Sequence, residues 1–592
     1  MELAISYVDQ ILIFTIFALS LNLLTGYAGQ VSVAHAAFGA IGGYALAYLF
    51  LAVKIGTLEG IAVAVVASGL VGLVVGIPAL RLKTEWLMLL TLAAQMIVIA
   101  LVSTSAAFGG TYGLQNIAGL TLFGRALAEP SDFLPLFAVC AVLVYAICRR
   151  FGESPYGRVL CAIREDETAC RSLGKDVFRF KTVVFGVTAA MAGLAGALLV
   201  IDTSIASPTL FGFDLSSAIV AMIVVGGAGN FAGSILGATA LVLLGPLFER
   251  VLNFSADSAF TWRLVAFGAV LVLVMMFRPQ GILPAGASPM RWFKMKLRAP
   301  RVDVLPSFER AAAPRAPERF ASSSAQSTLS RESAPNGEPR DIVLAVRGLS
   351  KRFGGIVAAD DLALELPRGT ITALVGPNGA GKTTVFNLLT GALRPDAGRI
   401  LLNGEDIFGL RPDEVARRGM VRSYQNVRIF PTLTALDNVM LAIPRQPGEQ
   451  IVPLFLQPAR TARVERQVRE RALEWLRFVG IDAYAGYPAG ALAFGQQKLI
   501  ALARVLATDA AVVLLDEPAS GIDQPWVDVM LRLIEELRVH GRTVCIVEHN
   551  LHVVDRLADH TYFMELGRIT AQGSFAELTA TPRLAEAYFG TA

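Results

Sequence analysis

The sequence has few cysteines, few histidines and few charged residues. Its five cysteines are Cys140, Cys148, Cys161, Cys170 and Cys545. They form no C-x-x-C pair and no cluster with ligand spacing, which argues against a disulfide framework and against a zinc site. Charged residues make up 17% of the chain and the net charge is only +4, so nucleic acid is not an expected partner. The first ten residues carry no lysine or arginine, and we therefore expect a retained apolar segment rather than a cleaved signal peptide.

Apolar residues are abundant but unevenly distributed along the chain. They make up 54% of its 592 residues, and the mean hydropathy is +0.55. A chain of this length exceeds what one hydrophobic core supports, so at least two domains are expected. The long uncharged runs lie in residues 1–290, whereas residues 341–592 have the composition of a soluble domain. We predict a transmembrane domain over 1–290, a linker over 291–340 and a second domain over 341–592.

The first domain is predicted to be polytopic and α-helical. Runs close to the length needed to cross a bilayer lie at 5–24, 31–52, 58–78, 86–105, 133–150, 182–202 and 261–277. A further apolar region, 215–248, is interrupted by glycines at 226–229 and forms either two short spans or a re-entrant pair. Counting two spans there gives about nine crossings.

Lysine and arginine set the expected orientation of these crossings. The loop 149–181 carries a cluster of basic residues, whereas the segments 106–131 and 203–214 hold one basic residue between them. Basic loops face the cytoplasm. Nine crossings then place the N-terminus outside and residues 341–592 in the cytoplasm.

One basic loop has two interpretations. The stretch from Ser154 to Ala169 mixes charged and small residues and is able to form a short amphipathic helix. Such a helix would transmit motion by docking on a cytoplasmic domain. The alternative is a solvated basic loop without that role.

Some polar and glycine residues of the first domain also allow two interpretations. His35 and Gln95 lie at membrane depth, where a hydrogen bond between helices is the more common role and a substrate contact the rarer one. Most glycines allow close helix packing. Broken helices are expected at Gly109-Gly110 and Gly226-Gly227.

The linker differs in composition from both domains. From about 298 to 339 it is rich in alanine, proline, serine, arginine and glutamate, with no apolar periodicity. Disorder is expected because there is little to bury. A docked, ordered segment is the alternative.

The second domain contains a G-x-x-x-x-G-K-T loop after the apolar run 371–375, where a strand is predicted to end and a helix to begin. Its glycines let backbone N–H groups surround phosphates, a lysine adds charge, and a threonine hydroxyl ligates Mg²⁺. We predict an ATP site with Mg²⁺. The residues assigned to it are Gly376, Pro377, Asn378, Gly379, Ala380, Gly381, Lys382, Thr383 and Thr384.

Polar residues follow two other predicted strands of this domain. The run 511–515 ends in Asp516 and Glu517, which suit a Mg²⁺-organising carboxylate and a water-activating base. The run 543–547 is followed by His549, a candidate γ-phosphate sensor. A solvated strand end would explain any one of these residues, but not all of them beside a phosphate loop.

The order of these motifs carries a resemblance. Residues 341–592 are similar to ABC-transporter ATPase domains, with an α/β P-loop fold. The resemblance implies that Phe353 stacks on adenine and that Gln425 contacts nucleotide and Mg²⁺. It also implies a signature that faces ATP on a partner subunit: Leu492, Ala493, Phe494, Gly495 and Gln496. Ala493 departs from the family's usual serine. Asp516 is expected to hold the metal, with Glu517 and His549 catalytic.

Within that family the domain resembles the branched-chain amino acid type, through KRFGGIVAADDL, QNVRIFPTLTALDNV and the ending AYFG. Residues 10–285 resemble the permeases of the same importers, through stretches such as LNLLTGYAGQVSVAHAAFGAIGGY and VVGGAGNFAGSILGA. The resemblance implies an ATP-driven importer of branched-chain or related amino acids in a bacterial inner membrane. The implied partners are a second permease, a second ATPase (or a second copy of this chain) and a periplasmic solute-binding protein.

Other functions are weighed against this one. Urea, short amides or aromatic acids are alternative cargoes for the same architecture. An exporter or a non-transporting regulatory ATPase is the alternative of a different class.

Overall fold

The computed structural model describes residues 2–81, 84–117, 121–122, 125–126, 130–247, 256–284 and 341–580. The predicted linker 291–340 and the A-Y-F-G ending lie outside the described residues. The chain divides into two compact units. Of the described residues, the first unit holds those up to Arg164 and those from Phe178 to 284; the second holds Glu165–Val177 and 341–580.

In the first half of the chain the described elements are helices, apart from two short strands that pair antiparallel, β1 (Thr121–Leu122) and β2 (Arg125–Ala126). Its helices are α1 (Glu2–Leu21), α2 (His35–Tyr48), α3 (Thr57–Ala79), α4 (Thr84–Thr104), α5 (Pro130–Gly152), α6 (Pro155–Glu165), α7 (Glu167–Ser172), α8 (Val177–Thr203), α9 (Phe213–Gly226), α10 (Phe231–Pro246) and α11 (Ala256–Phe277). Short helix α7 belongs to the second unit. The long apolar runs fold as helices because a helix bonds its own backbone polar groups internally.

Within the described residues, seven helical segments are long and apolar enough to cross a membrane. Two shorter apolar segments, Phe231–Leu244 and Gly268–Phe277, follow them. The predicted count of about nine crossings therefore stays a prediction. The interruption expected at Gly226-Gly227 is confirmed, since α9 ends at Gly226 and α10 begins at Phe231.

Asn22 holds this break against α1. Its side-chain amide donates to Asn230 O at 2.9 Å and to Ser234 Oγ at 2.7 Å, and its Oδ1 accepts from Gly229 N at 2.7 Å. Every polar atom of the buried amide is thereby satisfied, as a group in an apolar bundle requires. The glycine-rich turn is a fixed corner of the bundle.

The two polar residues singled out at membrane depth differ in their contacts. Gln95 accepts from Ala37 N at 2.7 Å and donates to Phe211 O at 2.8 Å, which confirms an interhelical hydrogen-bonding role. His35 is buried at the start of α2, and neither ring nitrogen has a hydrogen-bond partner among the described residues. Its environment therefore differs from the satisfied one expected of a packing histidine.

The second unit contains two sheets. The strands are β3 (Ile342–Phe353), β4 (Ile356–Pro367), β5 (Ile371–Val375), β6 (Ala397–Leu402), β7 (Glu405–Asp406), β8 (Met420–Ser423), β9 (Val512–Asp516), β10 (Thr543–Val547), β11 (His560–Glu565) and β12 (Arg568–Gly573). One sheet has the order β12-β11-β5-β10-β9-β8 and is parallel except for its β11–β12 pair. The other is antiparallel, with the order β4-β3-β6-β7.

Helices connect and cover these strands. They are α12 (Lys382–Leu389), α13 (Pro412–Arg417), α14 (Ala435–Ala442), α15 (Ile451–Leu456), α16 (Pro458–Phe478), α17 (Phe494–Ala507), α18 (Gln524–Val539), α19 (Leu551–Leu557) and α20 (Phe575–Thr579). Every residue of β5, β9 and β10 is buried, as expected for central parallel strands covered on both faces. The predicted strands 511–515 and 543–547 and the helix after the phosphate loop are confirmed.

The predicted amphipathic helix of the basic loop is broken in two, contrary to a single helix over 154–169. Helix α6 ends at Glu165 and α7 begins at Glu167, because Asp166 adopts an extended conformation. The Asp166 carboxylate accepts from Ala169 N at 2.9 Å and caps the new helix. This break places Glu165 at the end of α6, Asp166 at the cap and Glu167 at the start of α7.

Candidate functional site: a nucleotide-binding edge of the parallel sheet

Three adjacent strands end at one edge of the parallel sheet. In the register of these strands, Val547 of β10 lies opposite Asp516 of β9 and Leu374 of β5. The phosphate loop therefore leaves the same edge at which Asp516, Glu517 and His549 appear. Ligands of open α/β sheets bind outside the carboxyl ends of the strands.

The loop keeps its shape through glycines in the left-handed region. Gly376 has φ 152° and Gly381 has φ 104°. A Cβ added at Gly376 would lie 2.1 Å from Met564 O, and one at Gly381 would lie 2.3 Å from Ala358 O. Any side chain at either position would displace backbone, so the pattern of glycines is a geometric requirement. Helix α12 starts directly after Gly381, with its N-terminus at the loop, the favourable end for phosphate.

Lys382 lies under this loop. Its Nζ donates to Gly376 O at 2.6 Å and to Pro377 O at 2.9 Å. Burial lowers the pKa of Lys382, while the carboxylates of Glu517 and Asp516 oppose that shift. The lysine charge is thus held between the loop and the acidic strand end. Thr383 and Thr384 follow on the first turn of α12, with Thr383 exposed.

The two acidic residues, Asp516 and Glu517, lie in different environments. Asp516 is buried, and its Oδ2 accepts from Arg422 Nη2 at 2.5 Å. Glu517 is less buried, and its Oε2 accepts from Gln425 Nε2 at 2.7 Å, while its Oε1 lies 3.9 Å from His549 Nδ1. The structure therefore brings Gln425, Glu517 and His549 together beside Asp516. A fixed carboxylate and a more accessible one suit a metal-organising and a base role respectively.

Glu517 also has an unusual backbone. Its φ is 48°, and its N–H donates to Val547 O at 2.9 Å. A left-handed conformation is uncommon for a residue other than glycine, asparagine or aspartate, and such residues cluster at functional sites. The strand end is bent so that this carboxylate leaves the sheet.

Phe353 belongs to the antiparallel sheet, whereas the acidic residues follow strands of the parallel sheet. It ends β3 at the tip of the β3–β4 hairpin, where it is 45% exposed, and Lys351 Nζ lies 5.6 Å from its ring centroid. An exposed ring on a hairpin tip is available to stack on a flat ligand.

The signature residues form the start of α17. Gln496 accepts from Ala493 N at 3.0 Å, which is one half of a capping box. Alanine at the N-cap supplies no side-chain acceptor for the other half. Among the described residues, no hydrogen bond joins residues 492–496 to the phosphate loop.

Three further residues organise this edge and were not singled out from the sequence. Arg422 binds Asp516, as described above. Lys498 of α17 donates to Pro518 O at 3.1 Å and to Ser520 O, and burial lowers its pKa. Glu548 accepts from Ala519 N at 3.1 Å, and burial raises the pKa of its carboxyl. Their signal in the sequence is weak because each acts through a contact between distant segments.

The segment 165–177, which contains α7, packs within the second unit through charged contacts. Arg428 Nη1 donates to Asp166 Oδ2 at 2.9 Å, and Thr432 N donates to Glu165 at 3.2 Å. Lys175 Nζ and Glu449 Oε1 form a largely buried ion pair at 2.5 Å. The predicted docking of this loop on the nucleotide-binding part of the chain is present in the structure.

Comparisons with known proteins agree with both halves of this description. The family "Branched-chain amino acid transport system / permease component" matches residues 3–275, and the family "ABC transporter" matches residues 359–520. The high-affinity branched-chain amino acid transport ATP-binding protein BraF of Pseudomonas aeruginosa is 39% identical over 42% of this chain and 98% of its own length. The high-affinity branched-chain amino acid transport ATP-binding protein LivG of Escherichia coli K12 is 36% identical. The match covers 42% of this chain and 98% of the length of LivG.

Among solved structures, a nucleotide-free ATP-binding cassette of an ABC transporter is 30% identical. The match covers 42% of this chain and 100% of the chain in that structure, with a TM-score of 0.37.

The sequence relatives cover nearly their full lengths, and the permease match covers the helical half that precedes them. The chain is a multi-pass membrane protein with a cytoplasmic nucleotide-binding ATPase domain. It belongs to the branched-chain amino acid transport family of ABC transporters, with a permease component and an ATP-binding component in one polypeptide.

Proposed function

We propose that this chain imports branched-chain or related amino acids across a bacterial inner membrane, driven by ATP hydrolysis. The observation that carries the proposal is the acidic edge beside the phosphate loop, in a chain that also has a permease-type membrane half. The relatives BraF and LivG are named as branched-chain amino acid transport proteins, which supports the cargo class.

The residues at this edge have distinct roles in the proposed reaction. The loop 376–384 binds the phosphates through its backbone N–H groups and Lys382, and Phe353 stacks on the base. Glu517 accepts a proton from the attacking water, which Gln425 and His549 help to orient. Removing that proton as the water attacks lowers the barrier to cleavage of the terminal phosphate.

A Mg²⁺ ion fits the oxygen donors present. Thr383 offers a hydroxyl, Gln425 an amide oxygen and Asp516 a carboxylate, the hard ligands that Mg²⁺ prefers. When bound, the ion neutralises charge on the β- and γ-phosphates. Arg422 Nη2 donates to Asp516 Oδ2 at 2.5 Å, so a cation on this carboxylate would share its charge with the guanidinium.

The transport cycle requires a second ATPase domain. The signature 492–496 would close on nucleotide held by that domain, whose own signature would close on the loop 376–384. Rigid-body closure then displaces residues 165–177 and shifts the permease between outward and inward states. The proposed partners are a second permease and a second ATPase, or a second copy of this chain, together with a periplasmic solute-binding protein.

The cargo is tested in nanodiscs that contain the full-length chain and its partner subunits, with candidate solute-binding proteins from the same genome. ATP hydrolysis is measured with each binding protein alone and loaded with leucine, urea or benzoate. The proposal predicts stimulation by the leucine-loaded protein. Stimulation by urea or benzoate alone would assign the alternative cargo, and equal hydrolysis under all conditions would contradict an importer.

A further inference from the structure

A buried arginine connects the acidic edge to the helix of the phosphate loop. Arg422 Nη2 donates to Asp516 Oδ2, and its Nη1 donates to Asn387 Oδ1 of α12, both at 2.5 Å. The side chains of Arg422 and Asp516 are only 2% and 3% exposed. A buried ion pair with one partner removed leaves an uncompensated charge, so these two groups hold each other in place.

Tyr424 lies two residues beyond Arg422 and contacts two cations. The guanidinium carbon of Arg422 lies 5.0 Å from its ring centroid, and that of Arg428 lies 4.9 Å from the same centroid. Cations within about 6 Å of an aromatic centroid are attracted by the ring quadrupole. The shared ring thus holds two like charges at one place in the loop that also carries Gln425.

Arg428 extends this series to the start of α7. Its Nη1 donates to both carboxylate oxygens of Asp166, at 2.9 and 3.2 Å. Asp166 Oδ1 also accepts from Ala169 N at 2.9 Å, so the same carboxylate caps α7. A displacement of Arg428 therefore acts directly on the first turn of that helix.

A second arginine, on α17, interacts electrostatically with the Asp166 carboxylate. Arg504, on α17, is buried, and its guanidinium carbon lies 4.9 Å from the Phe430 ring centroid. Burial lowers the pKa of Arg504 to about 10, whereas Cys170 and Asp166 favour its charged form. The Asp166 carboxylate thus favours the charged form of Arg504, and it also accepts from Arg428.

We propose that Tyr424, with Arg422 and Arg428, forms a relay of positioning residues that links the Asp516 carboxylate to the start of α7. The proposal rests on the proposed function, because it assigns nucleotide binding as the event transmitted. A divalent cation near Asp516 competes electrostatically with the Arg422 guanidinium for one carboxylate. When the Arg422–Asp516 pair weakens, the position of the Arg422 guanidinium against the Tyr424 ring changes. The position of Arg428 against the same ring then changes, and with it the hydrogen bonds from Arg428 to Asp166.

The test measures backbone hydrogen exchange of residues 165–177 in the full-length protein in nanodiscs. Exchange is compared with and without Mg²⁺ and a non-hydrolysable ATP analogue. The wild type and Tyr424→Phe, which keeps the ring, should show the same nucleotide-dependent change. Tyr424→Leu should reduce that change by about twofold to fivefold, the size of one cation–π contact.

Arg428→Met is a second variant. Arg428 lies beyond the end of β8 and its side chain is 39% exposed, so the substitution should leave the fold of the domain intact. It should abolish the response while Mg²⁺-nucleotide binding, measured with a fluorescent ATP analogue, stays at the wild-type level. A full response in a folded, nucleotide-binding Tyr424→Leu or Arg428→Met protein would overturn the relay. So would a wild type that binds nucleotide without any change at 165–177. Failure of the wild type to bind nucleotide would instead contradict the proposed function.

Discussion

The Glu517 carboxylate is the group on which hydrolysis depends most directly. It leaves the sheet through a left-handed backbone and is positioned by the Gln425 amide at 2.7 Å. Glu517→Gln keeps the shape and an acceptor oxygen for Gln425 but removes the base. We expect the rate of ATP hydrolysis to fall by about 100-fold to 10,000-fold with nucleotide affinity unchanged.

Phosphate release and fluorescent-nucleotide titration measure these two quantities on the same preparation. Glu535→Gln, at a partly exposed position of α18, is the matched control and should hydrolyse at the wild-type rate. A Glu517→Gln protein with near-normal hydrolysis would assign the base to another residue.

Ala493 is the signature residue that precedes α17, and the start of that helix shows the consequence of an apolar side chain at this position. The exposed Ala493 is the N-cap of α17 and provides no side-chain acceptor. Ala493→Ser should raise the unfolding free energy of the ATPase domain by about 1 kcal/mol, because the hydroxyl accepts from a free N–H of the first turn.

Backbone hydrogen exchange of α17, followed in increasing denaturant, reports the stability of this domain separately from that of the membrane half. Ala493→Val, which adds volume without an acceptor, should give no such gain. Equal stability of the serine and valine variants would show that the first turn of α17 needs no further cap.

Much of the acidic edge was predictable at this scale, and its supporting residues were not. Residues 376–384, Asp516, Glu517 and His549 lie in local patterns whose spacing follows from strand, loop and helix geometry. Arg422 and Asp516 are 94 residues apart and meet only because β8 pairs with β9. A contact between strands that are remote in the chain has no local pattern, so the partner of Asp516 could not be inferred.

At the scale of elements, the break between α6 and α7 determines how the loop 165–177 docks. Glu165 accepts from Thr432 N, whereas Glu167 accepts from Arg171 Nη2 within its own helix at 3.3 Å. The sequence alone does not distinguish these two glutamates, since both lie in the same charged stretch. The structure distinguishes them, because a cap at Asp166 turns the chain between them.

We therefore expect different effects from two charge reversals. Glu165→Lys should lower the amount of solute transported per ATP hydrolysed by about tenfold or more, since a charge-assisted hydrogen bond at the docking surface is lost. Glu167→Lys should have a smaller effect on that ratio. Paired uptake and phosphate-release assays measure it, and an equal loss in both variants would contradict the docking geometry.

At the scale of the whole molecule, one polypeptide carries a permease component and an ATP-binding component. Their one-to-one ratio is fixed by the chain itself. Composition predicts a disordered linker over 291–340, and a flexible tether there would raise the effective concentration of one domain near the other. Composition and motif order were sufficient to predict both domains, because each half has a strong and independent pattern.

The central claim is that nucleotide hydrolysis at the sheet edge drives solute through the membrane half. The most direct test is uptake of labelled leucine into proteoliposomes that contain the full-length chain, its partner subunits and the loaded solute-binding protein, with Mg²⁺ and ATP on the side of the ATPase domain. We predict ATP-dependent accumulation by the wild type and none by Glu517→Gln. Equal accumulation by both proteins, or accumulation without ATP, would contradict the account.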